Sequence, residues 1–267
     1  MISMLRIPTL LAIATTLAAQ NLPRVDLHVH IHDESNPALS MKPAEAATLS
    51  QKLGVRFGIL AEGGCGGDIH NDQTLEEFLD STERLPVYRG LQVYGFNWPN
   101  CLSRQNLNRL DYISADALVF PDGQGKSIWL WLPGVKFDDP QDFMERYVDF
   151  TVKILAQPIQ IWSNPTYLPE SLKSQYAALW TPKRMQRVID AAVRNHVAIE
   201  INSHFRIPSA TFIRRAKAAG AKFSFGSNEH VHGIGNIGYA LEVARQCGLS
   251  KSDIYVPQKR ALPNAKK

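Results

Sequence analysis

Cysteine is scarce in this chain, with three residues among 267, so no disulfide framework can carry the fold. No internal repeat or low-complexity tract interrupts it, and a solenoid or fibrous architecture is excluded. Charge of one sign is lacking too: 29 basic residues face 25 acidic ones for a net of +4. Several of the basic residues gather in the tail at Lys259, Arg260, Lys266 and Lys267, whereas a nucleic-acid partner asks for clustering on one face. No nucleic-acid partner is therefore expected. The only long apolar run, Ile7 to Ala19, is too short to serve as a comfortable permanent membrane span.

That run follows a short basic start at Arg6 and ends on the small residues Ala18 and Ala19, the pattern of a secretory signal peptide. Residues 1–19 are read as a signal peptide and 20–267 as one domain, secreted or periplasmic, with no stable membrane anchor after cleavage. An uncleaved apolar helix packed on the domain is the alternative. In an oxidising compartment one cysteine pair can form. Cys65 and Cys101 each fall just after an expected strand, on the same end of the fold, and are expected to be bridged, while Cys247 sits in a helical pattern as a core residue.

A 45% hydrophobic composition over this length supports one large core. Apolar runs alternate with helical patterns throughout. Strands are expected at Val25–His30, Arg56–Glu62, Val87–Tyr94, Tyr112–Phe120, Ile159–Ser163, Val197–Asn202 and Lys222–Ser227. Helices are expected at Pro43–Leu53, Thr74–Thr82, Leu102–Leu110, Asp138–Leu155, from Pro182 to Asn195, to Ala219 after the cap Ser209, and at Ile237–Cys247. An excursion or short hairpin is expected around Ile128–Leu132. Strict alternation implies parallel strands with helices outside, an α/β barrel whose strand C-termini share one face. A doubly wound open sheet would carry a Gly-rich phosphate loop after strand one; this chain has histidines there.

The tripeptide His28-Val29-His30 ends the first strand. Side chains at i and i+2 of a strand share a face, so both imidazoles can reach one ion. The other strand ends carry Glu62, Gln92 or Tyr94, Asp116, Asn164, Glu200 with Asn202, and Asn228 with His230. A ring of polar groups at a barrel mouth is costly unless its members pair with one another, with water or with a metal. Each keeps a plainer reading. Glu62 precedes a turn containing Gly63, Gly64, Gly66 and Gly67 that it could simply hydrogen-bond, Asn164-Pro165 could only start a turn, and His204, His230 and His232 could be loop histidines.

The order of these motifs resembles the PHP (polymerase and histidinol phosphatase) superfamily of metal-dependent phosphoesterases. Val25-Asp26-Leu27-His28-Val29-His30 resembles its opening Asp-x-His-x-His, Gly58 to Gly64 its second strand, and Asp111-Tyr112-Ile113 its fourth-strand entry. Ile161 to Pro165, Ile199 to Ser203 and Phe225 to His230 resemble its later segments, so the likeness runs from about Val25 to Leu249. It implies a distorted (βα)7 TIM-like barrel and up to three metals. The chain departs from the pattern at Gly63, Gln92, Leu118, Asn164 and Asn228, where family ligands have become glycine, amides or an apolar residue.

What survives for a metal is His28, His30 and His230, helped by Asn228, Asn164 or Glu200, which is an arrangement for one ion of zinc, manganese or iron. The resulting expectation is a metal-dependent, phosphoesterase-like hydrolase. Its catalytic set is Glu62, Glu200, Asn202 and Arg206, with Glu62 or Glu200 as base and Arg206 or the Gly-rich turn holding a small, anionic substrate. The other reading is a catalytically degenerate barrel that binds a polar, sugar-like ligand through Asn97, Trp98, Trp129, Trp131, Asn164 and Tyr167.

Overall fold

A computed structural model describes residues 22–32 and 40–258; the expected signal peptide and the basic tail lie outside them. Seven parallel strands form one sheet in the order β1-β2-β3-β4-β7-β8-β9. They are β1 (Val25–His30), β2 (Arg56–Gly63), β3 (Tyr88–Val93), β4 (Tyr112–Ala115), β7 (Ile161–Trp162), β8 (Ala198–Asn202) and β9 (Phe223–Gly226). A separate antiparallel hairpin joins β5 (Val119–Pro121) to β6 (Ser127–Trp129). The helices are α1 (Pro43–Leu53), α2 (Asp72–Thr82), α3 (Arg104–Leu107), α4 (Pro140–Leu155), α5 (Tyr176–Leu179), α6 (Pro182–Arg194), α7 (Ala210–Ala218) and α8 (Gly238–Gln246). Among the described residues no helix is long and apolar enough to cross a membrane.

The helix starts follow local chemistry. Asn71, Asp139, Thr181 and Ser209 accept backbone N–H groups in the first turns of α2, α4, α6 and α7, and prolines open α1, α4 and α6. Two expectations change. The strand expected over Tyr112–Phe120 splits into β4 and β5, because Asp116 Oδ1 takes the Leu118 N–H at 2.9 Å and turns the chain out of the sheet. The helix expected over Leu102–Leu110 shrinks to the single turn α3.

The sheet curls until its first and last strands meet. Asn228 N donates to the His28 carbonyl at 2.9 Å, and His30 N donates to the Glu229 carbonyl at 3.2 Å. The buried Asp26 carboxylate stitches this seam. Its Oδ1 accepts from Ser227 N at 2.9 Å and His28 N at 3.2 Å, and its Oδ2 accepts from Gly235 N at 3.0 Å. The result is a nearly closed, barrel-like α/β fold.

The register of β1 against β2 shifts between Asp26 and Val29. Two residues, Leu27 and His28, then oppose the single residue Gly58, which is a β-bulge. Below it Val25 and Leu27 pack into the barrel bottom with Leu60, Tyr88, Tyr112 and Ile161, while above it Val29 joins the outer core. The bulge therefore lets Leu27 and His28 both contribute to the barrel interior. Gly58 and Gly90 leave room there for Tyr112, since a Cβ at either position would collide with its ring or hydroxyl. The Tyr112 hydroxyl donates to the Leu27 carbonyl at 2.9 Å, closing the lower end.

Cys65 and Cys101 are disulfide-bonded with Cα atoms 5.5 Å apart, and Cys247 is free and buried. Closing a loop of 36 residues destabilises the unfolded chain by about 4 kcal/mol. Removing the Asp26 side chain should orphan three N–H donors at the seam, two of them buried. Asp26→Ala is expected to lower the unfolding free energy by about 2–4 kcal/mol in urea titrations; an unchanged midpoint would show that the seam holds without it.

Candidate functional site

The mouth of the barrel is built on a buried carboxylate. Glu200, on β8, is 1% exposed. Its Oε1 accepts from His28 Nδ1 at 2.6 Å, and its Oε2 accepts from Asn164 N at 2.7 Å and Asn202 Nδ2 at 3.1 Å. Gly226 on β9 makes this possible, because a Cβ there would collide with Glu200 Oε1 and crowd His28. Glu200 is thus engaged on both oxygens, one of them holding the His28 ring.

Asn164 is the second hub. It adopts a left-handed backbone, φ 50°, which asparagine tolerates better than most residues. Its Nδ2 donates to Asp116 Oδ2 at 2.9 Å, and its Oδ1 accepts from Asn202 at 2.9 Å and Asn228 at 3.2 Å. Both lone pairs of that oxygen are used, so Asn164 joins four side chains and has no atom left over for a metal. Asp116 also accepts Gln92 Nε2 at 3.0 Å, and the Gln92 side chain in turn hydrogen-bonds the His30 ring.

The two histidines of β1 converge. His28 Nε2 and His30 Nε2 lie 3.1 Å apart, while their Nδ1 atoms face Glu200 at 2.6 Å and Glu62 at 3.8 Å. Burial alone lowers the His28 imidazole, but Glu200, with help from Asp116 and Asp26, outweighs it and holds His28 above the ordinary value. Burial pushes His30 well below that value, reinforced by the charges of His28 and His230. Burial also raises Asp116 and pushes Asp26 up to about 6, against the N–H groups of Ser227, His28 and Gly235 that pull Asp26 down.

Two nitrogens bound about 2.0–2.1 Å from a tetrahedral zinc lie about 3.3 Å apart. The His28–His30 spacing is close to that, and a carboxylate behind Nδ1 is how a metal-binding imidazole is usually oriented. These residues fit one divalent ion. The third expected histidine is placed otherwise: His230 stacks on His30 with centroids 4.6 Å apart and planes 12° from parallel. In-plane lone pairs of stacked rings run side by side rather than converging, and His230 Nδ1 is taken by the His32 carbonyl at 3.1 Å. Among the described residues no three His, Cys, Asp or Glu side chains are grouped to hold an ion. Asn228, half-buried, lines the cavity and binds Asn164.

The remaining expected residues separate. Glu62 lines the mouth beside His30, and Asn202 is fully buried beneath Asn164, bonding Glu200 and the Phe205 N–H. Arg206 lies outside the cavity, exposed and stacked over Tyr239 at 5.6 Å. The Gly-rich turn spends the N–H groups of Gly64 and Gly67 on its own carbonyl bonds. Of the six residues expected to grip a sugar, Trp129, Trp131 and Asn164 line the cavity, whereas Trp98 and Tyr167 are packed into the core and Asn97 is exposed outside the cavity. Two positions outside the expected catalytic and metal sets prove central: Asp116, whose parity with Tyr112 and Ser114 aims it inward, and Asp26, which follows Val25 at the seam. The cavity itself measures about 840 Å³, a small-molecule size.

No family model matches this chain, and no curated protein matches it. Among solved structures it is similar to a chain of an archaeal ribonuclease P with mature tRNA, at 15% identity and a TM-score of 0.39, over 84% of this chain and 90% of that one. It is also similar to a D-hydantoinase, at 15% identity and a TM-score of 0.36, over 76% of this chain and 46% of that one. A citrate lyase from Burkholderia xenovorans LB400 is similar at 13% identity and a TM-score of 0.38, over 84% and 77%. Likenesses this weak say nothing of activity.

Because the fold raises His28, its contribution to stability is fully present below the unfolded imidazole value of about 6.5 and is lost as pH rises through the folded value. Glu200→Gln removes the charge that raises it. In chelator-treated protein the stability gap between wild type and E200Q should be largest below pH 6.5 and narrow above it, by urea unfolding across a pH series. A gap that widens with pH would contradict the His28–Glu200 pairing.

Proposed function

We propose that the protein is an exported, metal-dependent hydrolase of PHP-like type, holding one divalent ion of zinc, manganese or iron at the barrel mouth. The observation that carries this reading is the pair of Nε2 atoms 3.1 Å apart, each ring backed by a carboxylate. Such an ion supplies a Lewis acid that polarises a scissile group and acidifies a bound water. His28 and His30 would hold it, Glu200 would orient His28, and Asn164 would keep Glu200 in place through its backbone N–H. Glu62, lining the cavity at the His30 end, is the carboxylate placed to accept a proton from an attacking water. Export is supported by the Cys65–Cys101 bridge, since disulfides persist in oxidising compartments.

The sugar-binding alternative draws less support, because the Asn164 amide is consumed by its neighbours rather than offered to a ligand. Elemental analysis of protein purified without chelator should find about one equivalent of a divalent transition metal. It should fall below about a tenth of an equivalent in His28→Ala and His30→Ala. Glu200→Gln should weaken metal affinity about 10–100-fold. Ester and amide hydrolysis should disappear on chelation and return with the metal. Wild-type protein with less than about a tenth of an equivalent would overturn the reading.

A further inference from the structure

The cavity is lined by carboxyl groups and by five histidines, His30, His32, His204, His230 and His232. Glu62, Asp68, Glu77, Asp116 and Glu229 line it, and among the described residues no lysine or arginine does. This is not the balance of the chain, where basic residues outnumber acidic ones by 29 to 25. Arg206, the one cation expected to grip an anion, is stacked over Tyr239 outside the cavity. Away from the ion proposed at the mouth, an anionic substrate would meet carboxyl groups with no lysine or arginine to receive it.

A further feature points to a positive ligand. Trp129 and Trp131, at the end of the β5–β6 hairpin, line the same cavity and stay 49% and 38% exposed, with ring centroids 4.9 Å apart. Exposed indole faces beside carboxyl groups attract organic cations.

We propose that the cavity selects substrates bearing a protonated amine or guanidine on an apolar body, and disfavours those bearing a free phosphate or carboxylate. The apolar body lies against Trp129 and Trp131, and the cationic head faces the acidic wall. This inference rests on the hydrolase reading for its word substrate, but its binding chemistry is independent of turnover.

Calorimetric titration of the protein as purified, with 2-phenylethylammonium, 2-phenylethanol and 3-phenylpropionate, tests it. The ammonium should bind at least about tenfold tighter than the alcohol, with the carboxylate weakest, and the preference should shrink as salt is raised. Trp129→Ala with Trp131→Ala should cost about tenfold in ammonium affinity. The double variant Asp68→Asn with Glu77→Gln should reduce the ammonium preference several-fold while leaving alcohol binding unchanged. All four positions are on the cavity wall rather than in the core, and circular dichroism would confirm that the variants fold. Equal affinities, tightest binding of the carboxylate, no saturable ammonium binding, or a preference undiminished in both variants would each overturn the proposal. Ammonium selectivity in a protein without metal or hydrolysis would overturn the hydrolase reading alone.

Discussion

The bond from His28 Nδ1 to Glu200 Oε1, 2.6 Å long and sealed from solvent, is the interaction around which the barrel mouth is arranged. A buried carboxylate is tolerated only when its oxygens are met by donors. Here the donors come from three elements: the imidazole of β1, the backbone of Asn164 after β7, and the amide of Asn202 at the end of β8. Gly226 clears the space on β9. Four neighbouring strands are thereby held in one relative placement, and the Nε2 edge of His28 is aimed at His30 as a by-product of satisfying the charge.

The seam between β1 and β9 makes that placement possible. An open seven-stranded sheet would leave His28 at an edge, far from β8. Asp26 prevents this by taking N–H groups from both sides of the seam. The bulge that follows resets the parity of β1, so that Leu27 seals the barrel bottom while His28 and His30 reach the mouth. One irregularity in one strand separates a dry lower layer from a polar upper one.

The upper layer is economical with its amides. At the strand ends Asn164, Asn202 and Asn228 bond to one another and to Asp116 and Glu200. Such a network is rigid because nearly every donor and acceptor is used. The chemistry open to solvent is left to the His30 edge, Glu62, and an acidic wall faced by two tryptophans.

Much of this was legible in the chain itself. Period-two apolar runs and capping residues mark seven strands with intervening helices, and the strand ends spell out His28, His30, Glu62, Asn164, Glu200 and Asn228, because side-chain direction along a strand is a local property. The pairing of Cys65 with Cys101 also followed from their shared end of the fold. What the sequence leaves open is how those ends meet. Whether Glu200 is a base or a prop, whether His230 converges or stacks, and whether Arg206 faces the cavity depend on distances between strands far apart in the chain. Only the closed tertiary structure decides them, because a hydrogen bond or a shared ion requires atoms within about 3 Å, a proximity set here by the β1–β9 seam and the β1 bulge rather than by local spacing.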